Sequence, residues 1–256
     1  MNLLTDDQWE SFLTEGYVRL GKLLSDDDLA ALQRRIDDIM LGAADVDYSQ
    51  MLMQLDRASS DSDEPGPQTK GHKGATLDYR KIQDLEFDPL FLAYMQRPIF
   101  RDICRRMYGA APIASFRAMF MNKPAQKGTF LAWHQDRWTM LDRDPKVSVW
   151  TALDPATIAN GCVQIIPRSH HTLVNPSHDS GFLTPEQAQA HAPEEKRVFL
   201  ELNAGEAVLL HNWLLHGSDI NHTNIPRRAF SVCYMDARTR AKNGEAFSTV
   251  FPDGVL

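Results

Sequence analysis

Residues 133–138, Trp133-His134-Gln135-Asp136-Arg137-Trp138, put an imidazole and a carboxylate two positions apart between two tryptophans. Alternate residues of a β-strand point to one face, so an extended backbone here would aim His134 and Asp136 together. Two such side chains on one strand face are two-thirds of a metal site. By themselves they are equally a solvent-facing polar pair, or a histidine oriented by a carboxylate. The surrounding chain decides.

From about residue 114 onward the sequence is extended in character. Segments 116–121, 130–136, 146–153, 162–166, 197–202, 206–211 and 227–235 are rich in β-branched and aromatic residues, with Gly, Pro, Asn and Asp clusters between them. The earlier part reads mostly as helix. Thr5 caps a first helix with Trp9, Phe12 and Leu13 on its apolar stripe, and Gly16 ends it. Tyr17–Leu20 is extended, and Ser25 caps a second helix carrying Leu29, Leu32, Ile36 and Met40. Further helix runs from about 89 to 108, kinked or restarted at Pro98.

Strands in series behind a helical portion predict a mainly β fold with flanking helices. The expected form is a double-stranded β-helix (jelly-roll, cupin-like) core with the N-terminal helices packed outside. No linker divides the chain, so one domain is expected over 1–256, mostly helical through 110 and jelly roll over 111–240. Residues 58–76 are polar and rich in Gly and Pro; they and 172–196 are expected as lid loops.

Composition narrows the function. The chain has 256 residues, 43% hydrophobic and 24% charged, with a net charge of −7. An acidic chain is a poor general nucleic-acid binder, and no apolar run reaches the length of a membrane span. Its acidic start lacks the basic-then-apolar order of a signal peptide. The three cysteines, Cys104, Cys162 and Cys233, are odd in number and widely spaced, so a reducing, cytoplasmic location is expected.

A third metal ligand must come from a distant strand. The candidates are His170, His171, His211, His216 and His222. His216 follows the apolar run Ala207–Leu210 and its Gly205 turn, near the end of a buried strand; His211 ends the same run and is the main rival. Two histidines and one carboxylate with open positions suit Fe(II), whereas zinc sites more often take three histidines, or two and a glutamate. Such an iron needs an electron source for oxygen, commonly 2-oxoglutarate, whose distal carboxylate wants a bidentate arginine. In the strand around Arg227 and Arg228, Arg227, Ala229, Ser231 and Cys233 share one face. That face offers a cation beside small residues. Arg228 shares the other face with Phe230, Val232 and Tyr234, which reads as packing, with Arg228 at its solvent end.

With these residues in place, the chain resembles the phytanoyl-CoA dioxygenase family of Fe(II)/2-oxoglutarate-dependent oxygenases. The resemblance is ordered along most of the chain: Arg80–Leu85, Met121-Asn122-Lys123-Pro124, His134-Gln135-Asp136, Val149–Asp154, Asn160-Gly161-Cys162, Pro167-x-Ser169-His170, His216-Gly217-Ser218-x-x-Asn221 and Arg227. It implies His134, Asp136 and His216 as iron ligands and Arg227 with Ser218 on one carboxylate of 2-oxoglutarate. It further implies Trp150 and Lys81 as cosubstrate contacts, with Gln135, between two ligands, turned toward the bound molecules. The implied activity is hydroxylation of a small organic metabolite, using O2 and 2-oxoglutarate and releasing succinate and CO2. The same iron site can instead serve cyclisation, desaturation or epimerisation. A metal-binding cupin that is not an oxygenase is the reading from another class, and Arg227 at its spacing after His216 argues against it. Residues 41–76 and 172–196 match no known substrate preference. The acidic chain shows no basic patch for a coenzyme A moiety, so the name-giving substrate is not carried over.

Overall fold

The structure is a computed structural model that describes residues 4–58 and 64–252. Its first helix, α1 (Asp6–Glu15), starts where Thr5 and Gln8 form a reciprocal capping box and ends at Gly16, whose φ of 82° suits glycine. Strand β1 (Tyr17–Lys22) leads to α2 (Asp26–Leu41), capped by Ser25. Three strands follow: β2 (Leu52–Leu55), β3 (Thr69–Lys70) and β4 (Tyr79–Gln83). The stretch around Pro98 resolves into two helices, α3 (Pro89–Met95) and α4 (Pro98–Tyr108), each with a proline in its first turn.

The remaining strands are β5 (Ile113–Lys123), β6 (Leu131–His134), β7 (Val147–Ala152) and β8 (Val163–Ile165). After α5 (Pro185–His191) come β9 (Val198–Phe199), β10 (Glu206–His211), β11 (His216–Ser218), β12 (Arg227–Asp236) and β13 (Thr249–Phe251). They form two antiparallel sheets. The larger runs β1-β10-β7-β12-β5-β4-β2-β3 with β13 also on β5, and the smaller runs β6-β11-β8-β9. This is the jelly-roll core the alternation predicted, with the helices outside it.

The two faces of the large sheet do different work. One face carries Phe120, Val149, Leu209, Phe230 and Val232, and packs against Phe12, Ile36, Phe91 and Phe100 of the helices. Tyr234 adds a polar tie, its hydroxyl donating to the Met95 carbonyl at 2.8 Å. The other face, with Trp150, Val208 and Ala229, packs against Val163 and Ile165 of the small sheet. The site lies between the sheets.

Several expectations need correcting. The N-terminal portion is not simply a helical layer, since β1 to β4 extend both ends of the large sheet. The expected loop 58–76 contains β3, which pairs with β2; residues 59–63 lie outside the described residues. Segment 172–196 contains α5. The strand expected to reach 136 ends at His134, because the backbone of the next two residues bonds elsewhere. Gln135 N–H donates to the Gly181 carbonyl at 3.1 Å and Asp136 N–H to that of Asn212 at 2.7 Å. At Asn160-Gly161 the chain turns with Gly161 at φ 75°, where a Cβ would lie 2.3 Å from the Asp219 carbonyl oxygen.

Candidate active site

Antiparallel pairing sets His216 of β11 directly opposite His134 of β6. Their ring centroids are 4.1 Å apart. Each ring makes the same bond: His134 Nδ1 lies 2.8 Å from the Ala132 carbonyl, and His216 Nδ1 lies 2.8 Å from the Leu214 carbonyl. A carbonyl can only accept, so both Nδ1 atoms carry the proton and both Nε2 atoms keep a free lone pair. Those Nε2 atoms face Asp136, at 3.8 Å from Oδ1 and 3.9 Å from Oδ2. One donor atom from each of His134, Asp136 and His216 lies within 4.8 Å of the others, a group able to hold a metal ion. Burial, with a smaller contribution from His216, pushes the His134 imidazolium down to about 3, so this ring stays neutral and able to ligate. Phe182 stacks on it at 4.7 Å.

His211, the rival, stands apart from this group. It packs near Phe12 and His170, and its Nδ1 accepts the Trp213 backbone N–H at 3.1 Å. Ser169 has a structural part: it donates its hydroxyl to the Ile166 carbonyl and accepts from Leu215 N–H.

The three donors open onto a cavity of about 270 Å3 that Lys81, Trp150, Ser218 and Arg227 also line. Arg227 is 2% exposed, and its Nε and Nη1 are buried without a hydrogen-bond partner. Burial lowers its pKa to about 10, with only partial compensation from Cys162 and Asp154. A guanidinium left in this state lacks its anion, because buried charges are ordinarily paired. Its Cζ lies 5.4 Å from the Trp150 ring centroid, and the indole Nε1 is likewise buried without a partner. Lys81, across from Met121 in the β4–β5 pair, is half-buried, and desolvation lowers its pKa to about 8. Unpaired donors beside a two-histidine, one-carboxylate group fit Fe(II) together with a dicarboxylate.

Arg228 is on the opposite face, as alternation requires, but it is not a solvent-end residue. It donates to both oxygens of Asp154, at 2.7 and 2.8 Å, and to Asp37 at 2.5 Å. Gln135 also departs from expectation. Its side-chain amide donates to the carbonyls of Ser169, Thr172 and Trp213, and its oxygen accepts from Val174 N–H. The alternation that turns His134 and Asp136 inward turns Gln135 away, and it is not among the cavity's lining residues.

Sequence reasoning passed over Arg117, Gln68, Ser180 and Phe182, all of which line the cavity. Gly181 explains how Phe182 comes so near. At φ 67° it passes against the Gln135 carbonyl oxygen, which a Cβ would meet at 1.9 Å.

A family profile described as phytanoyl-CoA dioxygenase (PhyH) matches residues 12–229. The chain is 25% identical over 252 residues to the phytanoyl-CoA dioxygenase of Arabidopsis thaliana, spanning 90% of this chain and 88% of the relative. Among solved structures, it is similar to EctD from S. alaskensis with 2-oxoglutarate and 5-hydroxyectoine. That match has a TM-score of 0.72 at 22% identity, covering 94% of this chain and 79% of the other. It is also similar to the α-ketoglutarate-dependent carbocyclase SnoK from nogalamycin biosynthesis, with a TM-score of 0.72, 17% identity and 98% of each chain covered. At these identities the structural likeness establishes the fold. No described helix is long and apolar enough to cross a membrane.

Proposed function

Because the chain belongs to the phytanoyl-CoA dioxygenase family, it is a non-haem Fe(II)- and 2-oxoglutarate-dependent oxygenase, and we propose that it hydroxylates a small organic metabolite. In this reading His134, Asp136 and His216 hold the iron. Arg227 and Ser218 take the distal carboxylate of 2-oxoglutarate, Trp150 flanks it, and Lys81 adds a second cation. Iron and 2-oxoglutarate together supply the oxidation: O2 is consumed, 2-oxoglutarate becomes succinate and CO2, and the substrate is oxidised. The chain's own residues do the rest. The two Nδ1–H bonds fix both imidazoles with Nε2 toward the metal. Arg227 orients the cosubstrate by two parallel donors. Phe182, Leu131 and Met121 line the cavity with apolar surface that keeps water from the reacting carbon.

The observation that carries this reading is Arg227, buried, with Nε and Nη1 lacking a hydrogen-bond partner among the described residues, and lining the same cavity as the three donors. Gln68 on one side and Ser180 and Phe182 on the other line that cavity, which supports the described part of 58–76, together with 172–196, as its covering segments. The reading treats 1–256 as one catalytic unit, with the jelly roll over 111–240 holding the chemistry. A cytoplasmic location belongs to it too, supported by three buried, unpaired cysteines.

The test is a screen of small metabolites with Fe(II), 2-oxoglutarate and O2, scored for succinate and by mass spectrometry of products. Hydroxylation predicts a substrate that raises succinate release and gains one oxygen. Loss of two hydrogens without oxygen gain would instead indicate desaturation or cyclisation, and an isomer of unchanged mass epimerisation.

A further inference from the structure

The cavity holds more positive charge than iron and 2-oxoglutarate can use. Lys81, Arg117 and Arg227 line it, against one carboxylate, Asp136. On the reading above, Asp136 and the chelating end of 2-oxoglutarate neutralise Fe(II), and the distal carboxylate neutralises Arg227. Lys81, near the Arg227 end of the site, is available to the cosubstrate. Arg117 is left over.

Its position is specific. β5 and β12 pair Lys123 with Arg227, Met121 with Ala229, Met119 with Ser231 and Arg117 with Cys233. Arg117, Met119 and Met121 therefore share the inward stripe that Arg227 begins, and all four line the cavity. Six residues of strand, about 20 Å of backbone, separate the levels of the two arginines. Arg227 marks the cosubstrate end, and Arg117 marks the other.

Among the described residues Arg117 makes no hydrogen bond and no ion pair. Its Cζ sits 4.7 Å from the Trp138 ring centroid and 5.0 Å from that of Phe116. Aromatic contacts hold the guanidinium over its flat faces and leave the in-plane N–H edge free, the edge a carboxylate uses. Burial lowers its pKa; Asp136, Cys233, Glu245 and Asp84 oppose the shift, all from beyond ion-pair distance. Of these, Asp136 is claimed by the iron in the loaded protein. A half-buried arginine with no partner among the described residues has its N–H edge free for an anion that arrives with a ligand.

We propose that the substrate is a small carboxylate whose carboxyl group docks on Arg117, at the opposite end of the inward stripe of β5 and β12 from the Arg227 that holds 2-oxoglutarate. The two anions then lie at opposite ends of one cavity, and the metal group opens onto the space they share. A single uncommitted cation matches a singly charged carboxylate better than a phosphate dianion. The proposal rests on the oxygenase reading, and its test separates the two.

The experiment is anaerobic calorimetry on Fe(II)-loaded protein. 2-Oxoglutarate is titrated first; then butanoate, hexanoate and 3-phenylpropanoate, each beside its primary amide, with phenyl phosphate as a further probe. Failure to bind 2-oxoglutarate overturns the oxygenase reading and this proposal with it. With 2-oxoglutarate bound, at least one carboxylate should bind about tenfold or more tighter than its amide. Arg117→Gln should erase that preference and leave 2-oxoglutarate affinity unchanged, which also shows that the variant folds. Arg117→Lys should keep part of the preference. Equal binding of acids and amides, no binding by any carboxylate, or tighter binding of phenyl phosphate overturns the proposal. So does an Arg117→Gln variant that retains the preference, or that loses 2-oxoglutarate instead.

Discussion

His134 and His216 face one another across β6 and β11 with ring centroids 4.1 Å apart, and each bonds through Nδ1 to the carbonyl two residues before it. Two rings locked by the same local bond present matched Nε2 donors to Asp136. Replacing either histidine by Ala should lower Fe(II) affinity by orders of magnitude, since one of three protein ligands is gone. His211→Ala should keep the metal, because His211 lies outside the donor group. Equilibrium dialysis of Fe(II) separates these outcomes, and loss of iron in His211→Ala with retention in His216→Ala would reverse the assignment.

Arg227 and Arg228 are neighbours with opposite tasks. Arg227→Ala should weaken 2-oxoglutarate binding by about 3 kcal/mol or more, over a hundredfold, as the loss of one partner of a buried charged pair does. Arg228→Ala should leave that affinity nearly unchanged but destabilise the fold by about 3 kcal/mol, because Asp154, only 8% exposed, keeps its charge without its partner. Calorimetry for the first and urea unfolding for the second check both. Equal effects on cosubstrate affinity would contradict the register of β12.

Gly181 should not tolerate a side chain. Alanine there combines a left-handed φ with a contact against the Gln135 carbonyl oxygen. The backbone of 180–182 must move, and Phe182 with it, off the face of His134. Gly181→Ala is expected to keep the cooperative fold, lower Fe(II) affinity roughly tenfold and reduce turnover. An unaltered metal affinity would show that Phe182 has no part in holding the ring.

His211 gives a pH dependence of known sign. Burial, followed by His170, Lys146 and His171, pushes its pKa down to about 3. The folded value is below the ordinary histidine value of about 6.5, so the neutral ring's contribution is complete above that pH. It is lost as pH falls from about 6.5 toward 3, at no more than about 1.4 kcal/mol per unit for one proton. Unfolding free energies of the metal-free protein between pH 7 and 5 should therefore fall more steeply in the native chain than in His211→Gln. Parallel curves would contradict it.

What the sequence could and could not disclose follows from how far each feature depends on distant contacts. Thr5, Ser25 and Pro98 act through their own neighbours, so the helix starts were legible. Alternation in 227–235 separated Arg227 from Arg228 because β12 runs unbroken through the sheet. The same rule, applied to 133–138, would have turned Gln135 away from the metal. The strand β11 escaped notice because three residues carry no period; its pairing with β6 and β8 creates it. Arg117 stood within an apolar run as a lone charge, which was a signal. Its meaning depended on Trp138 folding over it and on no described acid standing within ion-pair distance. Phe182 was hidden because only the turn at Gly181 brings its segment to His134.

The central claim is an iron held by His134, Asp136 and His216 that couples 2-oxoglutarate to O2. Its most direct test is succinate formation from 2-oxoglutarate by Fe(II)-loaded protein in air, compared between the native chain, His216→Ala and His211→Ala. The account predicts one succinate per 2-oxoglutarate consumed in the native chain and in His211→Ala, and none above the protein-free rate in His216→Ala. Succinate formation that persists undiminished in His216→Ala would contradict it.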